Sequence, residues 1–349
     1  MRIAMYCDRP PRSGIGVYST ELHAALRKLG EEAELTFTGS DYDGLLDEKS
    51  IHHGTDATLS WLVPRTKKPV ITLHDIDEDG RVEVSSGRAK QAYLAGPAVE
   101  NIKKAAAIIT DSYDARNRAV RAGMPEDILH VVHLGTDTDT FRPYDGNRQE
   151  LRQSLEYQVP ELASVSGRRM IVSVSSEEPR KSIPDVLRAF AKIRKAEPKT
   201  VLLRVGYPKE QQSESNIALQ RELGISDSVV YLNNIGREHL TDIYKVSELM
   251  LFPTVREGFG LAFTEAMASG CPIVAYSTTT APEIVGSTGL LTPLEQGPDG
   301  LAESSLRMLA DPELRNRLAN ASRRRVEELF TWNRCASNTA AVYKVLMGA

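Results

Sequence analysis

Two carboxylates and two cations are the residues of this chain best suited to chemistry. Glu257 and Glu265 bracket the turn Gly258-Phe259-Gly260 in REGFGLAFTEAM, with seven residues between the two acids. A strand ending at Pro253 delivers the chain to this turn, its glycines let backbone amides approach a ligand closely, and a helix begins near Leu261. Amides at a helix start favour an anion. Glu265 then stands about one turn into the helix on one side of that anion, and Glu257, before the turn, faces the other side. Carboxylates repel phosphate oxygens but accept hydrogen bonds from neutral vicinal hydroxyls. Two acids flanking an anion site therefore suit a diphosphate with a diol at each end, which is the form of a nucleotide sugar. The alternative, a solvated Glu257 with Glu265 complementing the helix dipole, stays open on this stretch alone.

Arg180 and Lys181 follow the apolar run MIVSVSS, at the carboxyl edge of a strand. A departing nucleoside diphosphate gains negative charge, and fixed cations stabilise it; two adjacent basic residues in a loop are otherwise simply solvated. Ser175, at the end of the same strand, is a candidate hydrogen-bond donor to phosphate. Gly14 and Gly16 in PPRSGIGVYS open a helix, which suits either a phosphate or a tight strand-to-helix turn. His74 and Asp75 end the run PVITL, and Gly135, Thr136 and Asp137 end the run HVVHL.

These groups need sheets to hold them. RIAMYCD reads as a short buried strand, and the helix after it carries Ile15, Tyr18, Leu22, Ala25, Leu26 and Leu29 at helical spacing before Gly30 closes it. Strands over AELTFTG, ATLSW, PVITLHD, AAAIITDS and DILHVVHLG, with a helix over 113–122, imply a parallel sheet covered on both faces. The polar stretch 143–169 marks a boundary between domains. Beyond it the pattern restarts, with strands over MIVSVSS, TVLLRVG, VVYLNN, LMLFPT and PIVAYS and helices over 183–196, 214–224, 238–247 and 262–269. The expected fold class is α/β, with two doubly wound Rossmann-like domains, 1–163 and 164–332, and a terminal helix over 333–349 packing back on the first. Ligands of such sheets bind at the carboxyl strand ends, so the expected site is a cleft between facing domains.

Composition agrees with two soluble cores: 349 residues, 41% hydrophobic and 26% charged, with a net charge of −4. The basic residues are scattered, so no general nucleic-acid surface is expected. Cys7, Cys271 and Cys335 lack C-x-x-C spacing, which fits a reducing compartment and speaks against a structural zinc site. MRIAMYCDRP is too short and polar for a signal peptide, and no apolar run has the length of a membrane span. A cytoplasmic address is expected, with peripheral attachment to the inner face of the cell membrane left open.

The acidic stretch resembles the E-x7-E signature of retaining GT-B glycosyltransferases of family four, and the likeness runs on through EAMASGCPIVAYSTTTAPEIVGSTGLLTP, residues 265–293. Other elements stand in the family's order: the amino-terminal glycine loop, the HD pair, HLGTDTDTFRP in place of N-G-V-D-x-x-x-F-x-P, and EPRKSI in place of the P-x-K-G turn. The resemblance covers most of the chain. It implies a GT-B fold in which the first domain takes the acceptor and the second binds a nucleotide-sugar donor. Donor contacts would come from Gly14, Gly16, Ser175, Arg180, Lys181, Glu257, Gly258, Phe259, Gly260, Leu261 and Glu265. His74, Glu257, Arg180 and Lys181 would serve catalysis, with Asp75 and Asp137 as acceptor-side candidates. Asp137 reads equally as a structural turn, and Glu283 as a brace of its own loop.

One departure is plain: where the family has G-R after the strand, this chain has Ser175 and Ser176. No cofactor and no metal is expected, since the D-T-D spelling lies within the N-G-V-D slot. The likeness of SGIGVYSTELHAAL to members using mannose donors favours guanosine diphosphate mannose over a uridine diphosphate hexose. The acceptor would be a glycan, a lipid-linked molecule or a small molecule, selected by loops such as 76–96. Retention would follow from a front-face departure in which the leaving phosphate takes the acceptor proton. Two alternatives remain: a glycoside hydrolase using Glu257 and Glu265 as acid and base, and a degenerate transferase that holds a nucleotide sugar without turnover.

Overall fold

Short, mostly apolar runs that end in glycine or polar residues fold here as parallel strands. The computed structural model describes residues 1–11, 13–37, 46–76, 82–84, 92–94, 96–206 and 210–348. The chain divides into two units, Met1–Gly135 with Leu329–Ala349, and Thr136–Glu328.

The first unit holds β1 (Arg2–Cys7), β2 (Glu32–Phe37), β3 (Ile51–Gly54), β4 (Pro69–Leu73), an antiparallel pair β5 (Val82–Val84) and β6 (Ala92–Leu94), then β7 (Ala107–Thr110) and β8 (Leu129–Val131). Six of these form one sheet in the order β2-β1-β3-β4-β7-β8, parallel throughout. Every residue of β4 is buried, so both faces of the sheet are covered. Helix α1 (Gly14–Lys28) buries Tyr18, Leu22, Ala25 and Leu26 as one stripe, and Ser13 caps its start by accepting from the Gly16 amide at 3.0 Å. Helices α2 (Pro97–Ile102) and α3 (Tyr113–Arg121) connect the later strands. Ile71, Leu73, Ile108 and Leu129 from the sheet pack with Val99, Ile102 and Ala119 from these helices.

The second unit holds β9 (Arg169–Val174), β10 (Thr200–Val205), β11 (Val229–Leu232), β12 (Leu249–Leu251), β13 (Ile273–Tyr276) and β14 (Leu290–Thr292). Their order is β11-β10-β9-β12-β13-β14, again parallel. The helices are α4 (Arg148–Gln158), α5 (Ile183–Ala196), α6 (Glu210–Glu222), α7 (Arg237–Val246), α8 (Leu261–Ala268), α9 (Ala281–Ile284), α10 (Gly297–Ala310) and α11 (Pro312–Leu329). On one face, Ile171, Leu202, Leu251 and Val274 meet Val186, Leu187, Phe190 and Ile193 of α5 and Leu301 and Met308 of α10. Their strand neighbours Met170, Val172 and Leu203 are equally buried, so the other face is covered as well. A final helix, α12 (Trp332–Met347), returns to the first unit, where the Tyr343 hydroxyl lies 2.6 Å from His53 Nδ1.

The α/β class and the doubly wound sheets are as the sequence indicates, but three details differ. ATLSW is the start of a 3-10 segment, Ala57–Arg65, and not a strand: Asp56 caps it, and a five-residue apolar run carries too little period to show helix from strand. The strand IHHG and the sixth strand of the second sheet, LLT, were not expected, since both are short and one is half histidine. The division falls at Gly135/Thr136, earlier than residue 163, because α4 is held by the second unit. Arg148 donates to the carbonyls of Lys245, Val246 and Ser247 at 3.0, 2.8 and 2.8 Å. All three cysteines are free and buried. Among the described residues no helix is long and apolar enough to cross a membrane.

Gly135 is packed where no side chain fits, since a Cβ there would lie 2.4 Å from backbone atoms of Trp332, whereas a Cβ on Gly14 would meet nothing within 4 Å. Gly135→Ala is expected to lower stability by about 1–3 kcal/mol, and Gly14→Ala to change it by less than about 0.5 kcal/mol. Urea denaturation of the two variants beside the wild type checks both; equal effects would contradict the packing described.

Candidate active site

Strand pairing brings the second unit's chemical residues together. Because β9 lies between β10 and β12, the loop after β9 runs beside the loop after β12, and the two are joined where the Val255 amide donates to the Arg180 carbonyl at 2.8 Å. This places Lys181 against Glu257: the Lys181 ammonium and Glu257 Oε1 form an ion pair, and Arg180 Nη1 lies 3.2 Å from Glu257 Oε2. Arg180 also reaches Glu178 at 2.8 Å and the Arg256 carbonyl at 3.2 Å. Lys181 sits 5.2 Å over the ring of Phe252, which packs edge-on against Phe263 of α8. Glu257 is only 7% exposed, so a pair of this kind is strongly destabilised if one partner is removed.

The electrostatics follow from that burial. Burial pushes the Glu257 carboxyl up, but Lys181 and Arg180 outweigh it and hold the group below its ordinary value, ionised at neutral pH. Burial, aided by Arg180, brings the Lys181 ammonium below its ordinary value against the attraction of Glu257. Glu257 is thus the counter-ion of both cations rather than an isolated acceptor.

The turn that follows is held from its other flank by the loop after β13. Thr278 donates to the Thr254 carbonyl at 2.8 Å, Thr279 accepts from the Glu257 amide at 3.3 Å, and Thr280 donates to the Phe259 carbonyl at 3.1 Å. Thr279 adopts φ of 41°, unusual for a β-branched residue, and such strain gathers at functional loops. Gly260 has φ of 90° and a Cβ there would lie 2.7 Å from the Phe263 ring, so glycine is required. Helix α8 begins after it with no side-chain cap, and a helix start of this kind suits an anion. Glu265 is half-buried on this helix; its carbonyl accepts from the Ser269 amide and hydroxyl at 3.0 and 2.9 Å, and its carboxylate has no hydrogen bond or ion pair among the described residues. Burial, partly offset by Arg237, pushes its carboxyl up to about 7.

Ser175 ends β9 and its carbonyl accepts from Arg204 at 3.2 Å; Arg204 also donates to the Ser173 carbonyl and hydroxyl at 2.9 Å each. A buried guanidinium therefore lies beneath the place where the family pattern has its arginine. Ser182 stands where that pattern has glycine, and it takes the left-handed conformation, φ of 51°, that glycine adopts freely.

The first unit gathers a second group at the carboxyl edge of its own sheet. His74 Nδ1 lies 2.7 Å from Asp111 and Nε2 lies 2.9 Å from the Thr55 carbonyl, so both ring nitrogens are engaged. Burial lowers the His74 pKa, but Asp111 first and Asp56 after it outweigh this and take it up to about 9. Asp75 is ion-paired with the buried Arg118, which also holds Asp114 at 2.9 Å and the Ile76 carbonyl at 2.7 Å. Gly16 is a packing glycine: its amide is taken by Ser13, and a Cβ would lie 2.1 Å from the Pro10 carbonyl oxygen. Gly14 is exposed at the helix start.

Asp137 lies in the second unit. Its carboxylate accepts from the Asp139 and Thr140 amides at 3.2 and 3.0 Å, a structural turn. The 278–284 loop is braced by Arg325, which donates to the carbonyls of Glu283 and Ile284 at 2.8 Å each. Sequence reasoning did not single out Asp111, Arg204 or the three threonines; the run TTT beside the likeness to a donor-side loop was the only signal. Most of the loop 76–96 lies outside the described residues, and among the described residues no cluster of His, Cys, Asp and Glu could hold a metal ion.

Two doubly wound parallel sheets, the second with a cation pair and an uncapped helix at its carboxyl edge, define the GT-B class. Residues 156–325 match the family of glycosyl transferases group 1. That segment, within the second unit, is similar to the glycosyl transferases group 1, and the fold of the chain is that of GT-B glycosyltransferases. The MMP alpha-(1->4)-mannosyltransferase of Mycolicibacterium hassiacum is 34% identical over 220 residues, 62% of this chain and 48% of the relative. The chain thus spans about half the length of the curated relatives it matches at this identity. Sucrose-phosphate synthase from Thermosynechococcus elongatus has the same fold, with a TM-score of 0.78 at 21% identity, covering 99% of each chain. So does HepE of Anabaena in complex with UDP and glucose, with a TM-score of 0.77 at 16% identity and 99% of each chain covered.

Because the Glu265 pKa is raised above the ordinary carboxylate value of about 4.3, its contribution to stability is whole below about pH 4.3 and lost as pH rises through about 7. Glu265→Gln removes the titration. The melting temperature of the variant should therefore gain on that of the wild type between pH 5 and pH 8, read by calorimetry; a constant difference across that range would contradict the burial described.

Proposed function

We propose that the protein is a glycosyltransferase that moves a hexose from a nucleoside diphosphate sugar to an acceptor hydroxyl with retention of configuration. The observation that carries this reading is the union of Arg180, Lys181 and Glu257 beside an uncapped helix start that carries Glu265. The two cations and the α8 amides suit a diphosphate, and the Glu265 carboxylate, with no hydrogen bond or ion pair among the described residues, suits the hydroxyls of a ribose. As the sugar departs, negative charge grows on the leaving diphosphate, and fixed cations stabilise that state more than the ground state. They take the part a divalent ion plays elsewhere, so the reading needs no metal. With Glu257 bound in its ion pairs, no carboxylate is assigned as nucleophile, and the leaving phosphate takes the acceptor proton on the same face.

The likeness to glycosyl transferases group 1 favours transfer over the hydrolase alternative for the paired acids. The mannosyltransferase relative supports a mannose donor, and the HepE complex with UDP keeps uridine diphosphate sugars in the test. The acceptor is a hydroxyl of a glycan, a lipid-linked molecule or a small molecule.

Thermal unfolding with a panel of nucleoside diphosphate sugars tests the site directly. At a donor concentration of about 100 times Kd, binding should add about 2.7 kcal/mol to stability and raise the melting temperature by several degrees. Guanosine diphosphate mannose is expected to give the largest shift, and Glu265→Ala and Lys181→Ala to remove most of it. No stabilising donor, or both variants responding as the wild type does, would overturn the assignment.

A further inference from the structure

The ring of His74 lies between two oxygens, Asp111 Oδ2 at 2.7 Å from Nδ1 and the Thr55 carbonyl at 2.9 Å from Nε2. A carbonyl oxygen never donates, and an ionised carboxylate only accepts. Both ring nitrogens must therefore carry a proton, since a neutral imidazole would set one nitrogen lone pair against an oxygen lone pair. The proton could sit on Asp111 instead with the same count, and burial pushes that carboxyl up, but imidazole starts as the stronger base by about 2.6 units of ordinary pKa and His74 is itself taken up to about 9. Asp111 is 2% exposed, so water does not replace its partner.

We propose that Asp111 is a positioning residue that keeps His74 protonated through the neutral range, so that His74 acts as a fixed cation and not as a proton acceptor. The part His74 plays in turnover rests on the transferase reading; its charge state does not. Each element around the ring is consistent with one retained positive charge. Asp56, after β3, adds a second negative charge and is itself tied to Arg9 at 2.8 Å. Tyr18 of α1 presents its ring edge-on, centroids 4.9 Å apart. His53 of β3, across Thr72, is wedged between the Thr72 hydroxyl at 2.7 Å and Tyr343 of α12 at 2.6 Å; burial takes it down to about 3, so it stays neutral and adds little repulsion. Cys335 of α12 is pushed up by burial to about 12 and stays a thiol. Around Asp111, Asp75 is paired with Arg118, and His133 packs against Tyr113 and Phe330.

A ring with both nitrogens engaged cannot take the proton of an acceptor hydroxyl. What it offers at the carboxyl edge of this sheet is a fixed positive charge held by Asp111, and its proton chemistry is closed. Proton transfer to the leaving phosphate then has no competitor at His74.

Proton–nitrogen correlation spectra of the histidine rings, recorded on the unliganded protein from pH 5 to pH 8.5, decide the charge state. His74, assigned by loss of its signals in His74→Gln, should keep both ring nitrogens protonated to about pH 8; an ordinary midpoint near 6.5 in the wild type would overturn the proposal without need of any variant. In Asp111→Asn the midpoint should fall by at least one pH unit, and in Asp111→Glu it should stay high. Transfer rates give the second readout. Wild type and Asp111→Glu should show no His74 limb between pH 6 and pH 8, while Asp111→Asn should lose activity as pH rises through the new midpoint. A profile of Asp111→Asn parallel to wild type would overturn the role in turnover. Absence of transfer in every protein would count against the transferase reading alone, with the ring spectra still deciding the charge.

Discussion

One buried carboxylate organises the carboxyl edge of the second sheet. Glu257 is placed by the loop after β12, Arg180 and Lys181 by the loop after β9, and the attraction between them ties two connections that otherwise share only a few backbone hydrogen bonds. The arrangement is balanced in charge: Arg180 and Lys181 face Glu257, and Arg180 is also paired with Glu178. It also explains the neighbours. Phe252 lies under the Lys181 ammonium, Phe263 lies against Phe252, and Gly260 must be glycine because Phe263 occupies the place of its side chain. The start of α8 is fixed through this sequence of contacts.

Much of this was legible in the sequence because it is written in local patterns. Apolar runs closed by polar residues marked most strands, and the helix over 183–196 was read to its ends because Ile183, Val186, Leu187, Phe190 and Ile193 recur at helical spacing. The acids around the glycine turn and the basic pair were visible by type and spacing. Their mutual ion pair was not, since it depends on β9 and β12 being neighbours, a fact of strand order that no single stretch contains. Asp111 lay hidden in TDSYD, where an acid before a helix reads as an ordinary helix start. Arg204 was masked by its strand, and the threonines after β13 donate across a register that only the sheet defines. The domain boundary was misplaced for a related reason: composition marks 143–169 as polar, but which core α4 joins is settled by Arg148 and the carbonyl ends of α7.

Both sheets enclose cations with acids at their carboxyl edges. In the second, Arg180 and Lys181 are held by Glu257 and Glu178, and the Glu265 carboxylate has no hydrogen bond or ion pair among the described residues. In the first, the cations are enclosed by acids: Arg118 by Asp75 and Asp114, His74 by Asp111.

The central claim is that Glu257 and Lys181 act as one unit, and a double-mutant cycle on stability measures that coupling most directly. Lys181→Met and Glu257→Gln should each cost about 2–4 kcal/mol, because each leaves a buried charge without its partner. The double variant should fall short of the sum by at least about 1 kcal/mol. Costs that simply add would show that the two side chains stabilise the protein independently, and the account of the site built on their pairing would fail.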